Sequence, residues 1–187
     1  YAFSGCTSLT SIVISEGVER IREYAFSGCT SLTSVVIPSS VTTIWQAFEG
    51  CTSLTSVVIQ EGVKEISNQS FRNCTSLTSI VIPSSVTWIG EDAFSGCTSL
   101  TSIVVEEGNS VYDSREGCNA IIETATNTLI QGYASTIIPS NVTEIGRSAF
   151  FGCTFLTSIE IPSSVTKIGW NAFGRCTSLT SIVVEEG

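Results

Sequence analysis

Eight cysteines and seventeen carboxylates are the groups in this chain with chemistry to offer, and histidine is absent. Without imidazole the commonest general base is missing, and with it the Ser and Cys triads that depend on it and the commonest zinc ligand. Carboxylate pairs remain: Glu91 with Asp92, Glu106 with Glu107, and Glu185 with Glu186. General acid–base work needs one carboxyl of such a pair held protonated, by burial or by a close like charge. Each pair lies in a turn or polar arm that water should reach, so we read them as solvated acids. Glu106, Glu107, Asp113 and Glu116 carry oxygen ligands that suit calcium, but their spacing is not that of a calcium loop. The expectation is no catalytic residue, no metal and no cofactor.

Seven of the cysteines are placed by a rule. Cys6, Cys29, Cys51, Cys74, Cys97 and Cys176 each open the hexapeptide "CTSLTS", and Cys153 opens the variant "CTFLTS". From Cys6 to Cys97 the spacings are 23, 22, 23 and 23 residues, and 23 returns between Cys153 and Cys176. A segment copied at a fixed interval marks a unit that stacks on its own copies. The thiols should then form a column in which parallel Cβ vectors give poor disulfide geometry. We expect free, buried thiols that pack as small apolar groups. Cys118 lies off the column and is expected to be the reactive one.

The elements that position these residues can be read within one unit, "CTSLTSIVISEGVERIREYAFSG". Leu9, Ile12 and Ile14 fall on one side of "LTSIVI", with Ser11 and Val13 on the other, the period-two pattern of a short strand. A turn follows, "SEG" or "PSS", with Gly17, Pro38, Pro83, Pro139 or Pro162 supplying the backbone preference. Next come "VERIREYAF", "VTWIGEDAF" and "VTKIGWNAF", whose apolar residues recur at spacings of three and four and suggest a helical turn or short helix. One such unit cannot bury its apolar face, but stacked units share a continuous core, with parallel strands about 4.8 Å apart.

The order L-x-x-I-x-I-x-x-x-V-x-x-I from Leu9 to Ile21 resembles a leucine-rich repeat. More narrowly, "IPSSVTxIGxxAFxGCTSLTSIxIP", as in Ile82 to Val105 and Ile161 to Val184, resembles the BspA-type leucine-rich repeats of bacterial surface proteins. The resemblance covers nearly the whole chain. It implies an α/β leucine-rich repeat solenoid as a single domain over residues 1–187, with a parallel concave β-sheet and short helices or turns on the convex side. Gly17, Ser40, Gly62, Ser85 and Ser164 stand where the wider family often has Asn, so no asparagine ladder is expected. Both ends read as interior pieces of the unit, so we expect a fragment of a longer chain.

One stretch is irregular. Ile103 and Thr136 are 33 residues apart instead of 23, and Asn109 falls where other units place Val18 or Val41. "NAIIETATNTLIQG" reads as two short strands joined at Thr124 to Asn127, a β-hairpin within an insertion at 109–133.

Function classes narrow accordingly. A net charge of −9 repels phosphate backbones and anionic headgroups, so nucleic acid is not expected as a partner. The longest apolar runs are three or four residues, far short of the roughly 20 that span a bilayer, so no membrane insertion is expected in this segment. The resemblance implies a non-catalytic protein-binding or adhesion scaffold of a bacterial cell-surface or secreted protein. Its partners would be host extracellular matrix or receptor proteins or other bacterial surfaces. The alternative is a structural spacer or self-associating stalk that presents another domain. Candidate ligand-binding residues are Val58, Val81, Val104, Ile137 and Glu160 on the outward strand column, with Glu160 its single charge. Three tryptophans join them: Trp88 in a column with Arg20, Thr43 and Glu65, Trp170 in one with Glu91 and Arg147, and Trp45.

Overall fold

Runs such as "SVVI" put β-branched residues alternately into the core and into solvent, which suits an extended backbone. The computed structural model describes residues 1–186 and is a β-solenoid. Its strands are β1 (Arg20–Ile21), β2 (Ser34–Ile37), β3 (Thr43–Ile44), β4 (Ser56–Ile59), β5 (Glu65–Ile66), β6 (Ser79–Ile82), β7 (Trp88–Ile89) and β8 (Ser102–Val105). After them come β9 (Tyr112–Asp113), β10 (Ile121–Glu123), β11 (Thr128–Gln131), β12 (Glu144–Ile145), β13 (Ser158–Ile161), β14 (Lys167–Ile168) and β15 (Ser181–Val184). Each regular unit thus contributes a four-residue strand and, on the other side of the turn, a two-residue strand.

The return arm is not helical, which corrects the reading from its three- and four-residue spacings. Among the described residues the one helical turn is a 3-10 turn at Arg115–Gly117. The segment "VxxI" instead ends in the two-residue strand, and a residue of positive φ follows it in successive units: Tyr24, Gln46, Gln69, Asp92, Ser148 and Asn171. A second left-handed residue precedes the cysteine, as at Gly28, Gly50 and Gly96. Two left-handed residues per unit are incompatible with a right-handed helix. The spacing misleads because a strand, a turn and a second tight turn return apolar side chains to the core at nearly the same interval.

The strand face is also not one continuous ladder. β2 pairs with β4, β6 with β8 and β13 with β15, each parallel and in register. Ser11 makes a lone bridge to Ser34, and the residues around Ile137 form no strand. Proline explains the interruption. At each closed joint an amide just past the strand donates to the preceding strand: Gln60 to Ile37 O at 3.0 Å, Glu106 to Ile82 O at 2.9 Å, Glu185 to Ile161 O at 3.0 Å. The corresponding residues at the other joints are Pro38, Pro83 and Pro162, which have no N–H to give. Turns of the "EG" and "PSS" kinds alternate from the first unit to the turn after β8, so closed and open joints alternate over that stretch too.

The open joints are held elsewhere. Ser40 Oγ accepts from Gly17 N–H at 3.0 Å and donates to Val18 O at 2.9 Å. Ser85 repeats this with Gly62 N–H at 3.0 Å and Val63 O at 2.8 Å. Serine hydroxyls therefore satisfy the turn backbone at positions where an asparagine ladder was not expected. Gly62 is required there, since its φ is +119° and a Cβ would lie 2.2 Å from Ser39 O.

Inside, equivalent residues stack in columns. Leu32, Leu54, Leu77 and Leu100 form one, and Phe26, Phe48, Phe71 and Phe94 form another, all buried. The phenylalanine rings lie nearly parallel, with centroids 5.2, 5.4 and 5.6 Å apart in turn, within the range in which aromatic pairs attract.

The irregular unit is woven into this core. β10 and β11 form the expected antiparallel hairpin across Thr124 to Asn127, and β11 pairs parallel with β12, which pairs parallel with β14. Ala120, Ile121, Ile122 and Leu129 are fully buried. Its side chains also close the ladders that reach it: Ile89 N–H donates to Tyr112 Oη at 2.9 Å, Ile103 N–H to Asn119 Oδ1 at 2.7 Å, and Val105 N–H to Ser114 Oγ at 3.1 Å. These amides would otherwise be an unpaired strand edge.

Candidate functional site

The groups with intrinsic chemistry are spent on structure. All eight cysteines are free, and the column from Cys29 to Cys153 is buried. From the second unit to the fifth, each column thiol donates to a carbonyl one unit back: Cys29 to Phe3 O, Cys51 to Phe26 O and Cys97 to Phe71 O at 3.1 Å, and Cys74 to Phe48 O at 3.2 Å. Cysteine is therefore a donor here as well as a small apolar residue, a role that spacing alone did not disclose. Burial pushes the thiols of Cys51, Cys97 and Cys153 up to about 12. Cys118 is also buried, and desolvation raises its pKa, which overturns its expected reactivity: a thiol kept protonated is a poor nucleophile.

The pair Glu91 and Asp92 is split between separate partners. Asp92 Oδ1 accepts from Ser95 Oγ at 3.0 Å, while Glu91 pairs with Arg147 at 3.3 Å. Asp113 is engaged by Arg115, at 2.8 Å for the ion pair and 2.9 Å for Nε, and the hydrogen bond raises the Arg115 pKa. Among the described residues no three metal-ligating side chains stand together. No helix among them is long and apolar enough to cross a membrane.

The long strands leave an outward surface. Val36, Val58, Val81 and Val104 are 45–49% exposed, flanked by the exposed serines 34, 56 and 79. Their inward neighbours are buried, so the outward valines are held rigidly by the alternation of the strand. The structure thus brings Val58, Val81 and Val104 onto one uncharged face. Ile137 and Glu160 lie further along, in a cleft of about 360 Å³.

The tryptophans occupy the other ladder. Trp88 is in register with Glu65, which is in register with Thr43, and Thr43 with Arg20, the column expected. Trp45 is 47% and Trp88 43% exposed. Trp45 borders a cleft of about 540 Å³ with Arg20, Arg22, Glu23 and Glu65. Trp170 stands apart from them with the Arg147 guanidinium 5.0 Å from its ring centroid, a cation–π contact. Phe155 is an exposed aromatic that the sequence reading passed over. It is 71% exposed, sits where other units have serine and borders a cleft of about 280 Å³ with Cys97, Leu100, Tyr133 and Cys153. The "CTFLTS" variant was its signal.

Comparison with known proteins agrees with this architecture. The family described as the BspA type leucine rich repeat region matches residues 1–120 and 128–187, in six copies. A leucine rich cell surface protein from Faecalibacterium prausnitzii is similar in structure, with 31% identity, a TM-score of 0.77, and coverage of 97% of this chain and 56% of that one. The pneumococcal vaccine antigen PcpA shares the fold at 24% identity and TM-score 0.80, over 93% of this chain and 45% of that one. A leucine-rich repeat protein from Eubacterium ventriosum does so at 23% identity and TM-score 0.57, over 94% and 60%. The chain spans about half the length of the first two. No curated protein matches.

Proposed function

The chain belongs to the BspA-type leucine-rich repeat family, and from that premise we propose that it is a non-catalytic scaffold that binds protein partners at a bacterial cell surface or in secreted form. The observation that carries this reading is the half-exposed column Val36, Val58, Val81 and Val104 on a strand face that bears no charge there. This face is the concave side of the solenoid in our reading. Rigid, mildly apolar surfaces of this kind suit a protein partner, which needs about 800 Å² per side for a stable contact. They offer few groups to read a small molecule. The cell-surface description of the Faecalibacterium prausnitzii protein supports the location, and host extracellular matrix or receptor proteins, or other bacterial surfaces, are the partner class.

The test is a chain carrying Val58→Arg, Val81→Arg and Val104→Arg together, checked by circular dichroism for an intact solenoid and assayed against a panel of host extracellular matrix proteins. Three guanidinium groups in the contact should lower affinity by about tenfold or more. Unchanged affinity in the folded variant removes this face and transfers the reading to Trp45, Trp88 and Trp170.

A further inference from the structure

The joint between residues 136–138 and β13 is built differently from the regular ones. There the units on both sides carry prolines at the strand end, Pro139 and Pro162. Neither the strand-closing amide supplied elsewhere by Gln60, Glu106 or Glu185, nor the glycine amide that meets a serine hydroxyl, is available. Residues 136–138 are instead drawn toward the irregular unit: Thr136 Oγ1 donates to Asn119 O at 2.8 Å and Ile137 N–H to Cys118 O at 3.2 Å. A cleft of about 360 Å³ results, with Ile137, Ile138, Ser140, Glu160 and Glu185 on its walls. Ile137 is 76% exposed, against 45–49% for Val36, Val58, Val81 and Val104, so the strand face is less covered at this joint than at those four positions.

The backbone there is unused. Ile161 accepts from Glu185 on the β15 side, and alternation along a strand turns the polar groups of Ser158 and Glu160 the opposite way, toward the cleft. Among the described residues neither of their N–H groups has a backbone acceptor on that side. The charge there is one-sided, because Glu160 and Glu185 take part in none of the ion pairs among the described residues.

We propose that this cleft docks an extended segment of a partner protein bearing a Lys or Arg side chain next to an apolar one. The segment pairs along the free edge of β13, its cation faces Glu160 and Glu185, and its apolar side chain covers Ile137. Main-chain pairing supplies affinity and the side chains supply selectivity, as in strand addition to other sheet edges. The proposal rests on the reading of the chain as a protein-binding scaffold and gives it a location and a partner chemistry.

The probe is a fluorescein-labelled peptide of sequence Val-Lys-Val-Lys-Val, capped at both ends, followed by fluorescence anisotropy with the whole chain. It should bind saturably, weaken as salt rises, and lose about tenfold in affinity with Glu160→Gln, a surface change that leaves the fold intact by circular dichroism. The peptide with Glu for Lys should not bind, and N-methylation of alternate peptide amides should abolish binding. Absence of saturable binding, indifference to Glu160→Gln, or equal binding of the N-methylated peptide overturns the proposal. The triple Val58→Arg, Val81→Arg, Val104→Arg chain keeps the two readings apart. It should still bind the peptide whatever it does to matrix-protein binding, whereas a chain whose matrix-protein binding depends on the valines but that never binds the peptide overturns the cleft alone.

Discussion

The thiol of Cys51 donates to the carbonyl oxygen of Phe26, 3.1 Å away and one unit back along the solenoid. The same bond recurs at Cys29, Cys74, Cys97 and Cys176, so the cysteine column doubles as a row of interunit hydrogen bonds. The phenylalanine carbonyls it serves already accept a backbone amide, as Phe26 O does from Cys29 N–H at 3.1 Å, so the thiol supplies the second bond to a buried oxygen, worth about 0.5–1.5 kcal/mol net. Thiol and carbonyl together explain why cysteine recurs where valine would fill the volume equally well. Substitution Cys51→Val should destabilise the chain by about 0.5–1.5 kcal/mol in urea unfolding, and a neutral result would show that the sulfur acts by volume alone.

The same burial sets an alkaline limit. Cys51, Cys97 and Cys153 are pushed up to about 12 in the folded chain, from 9.0 for an unburied thiol. Below pH 9 both states hold the proton and stability is unaffected by it. Between pH 9 and 12 the unfolded chain loses protons that the folded chain retains, so the thiols' contribution falls by about 1 kcal/mol per pH unit for each. The thermal midpoint should drop steeply across that window. Replacing Cys97 with Ala should flatten the slope even as it lowers stability at neutral pH, and an unchanged slope would refute the assignment.

Thiol chemistry should report the same arrangement at neutral pH. Cys6 is exposed and Cys176 half-buried, whereas Cys118 and the rest of the column are buried. Ellman's reagent should therefore modify Cys6 rapidly and Cys176 more slowly in the folded chain. All eight cysteines should react once the chain is unfolded without reductant. Fast modification of Cys118, mapped by mass spectrometry, would contradict its burial.

How much of this was legible depended on the kind of signal. The strand "SVVI", the column of Trp88 with Glu65, and the hairpin turn at Thr124 to Asn127 follow from period and register, which a sequence displays directly. The return arm was misread because one turn's worth of three- and four-residue spacing fits a helix and a pair of tight turns alike, and the left-handed residues at Gln46, Gln69, Asp92 and Ser148 carry no strong local signature. Pairing of the long strands was written in the alternation of "PSS" and "EG" but needed the missing proline N–H to be followed across units. The cleft beside Glu160 arises from two such prolines together with Thr136 bonding backward to Asn119, a contact between distant positions that no local pattern announces.

The proline rule is directly testable. Gln60 N–H donates to Ile37 O at 3.0 Å and closes the β2–β4 ladder. The change Gln60→Pro removes that donor and also the Gln60 Oε1 acceptor for Ser39 N–H, 3.0 Å away. The cost should be about 1–3 kcal/mol. Hydrogen exchange should show faster exchange at the β4 amides that face β2, with the β6–β8 pair unaffected, since Pro83 already separates them. Equal loss of protection in both pairs would mean that the long strands form one cooperative ladder despite the prolines.

Repeat logic makes one misleading recommendation, at Asn109. Other units place Val18, Val41, Val63 or Val86 in this column, so a consensus design would choose Asn109→Val. In the structure Asn109 Nδ2 donates to Pro83 O and to Val86 O at 2.9 Å each, and its Oδ1 accepts from Val111 N–H and Tyr112 N–H at 2.9 Å each. Four bonds from one amide fasten the entry of the irregular unit to the regular unit before it, and they set Tyr112 where its hydroxyl can receive Ile89 N–H. Valine would add apolar volume worth about 1–2 kcal/mol if fully buried. It would also leave the Val86 carbonyl and two amides without partners in a half-buried site, Pro83 O keeping Val86 N–H at 3.2 Å, at about 1 kcal/mol or more for each that water cannot reach. The losses outnumber the gain, so Asn109→Val should destabilise the chain by about 2 kcal/mol in urea unfolding and speed exchange at Ile89, Val111 and Tyr112. An increase in stability would show that the column's apolar character outweighs the amide's four bonds.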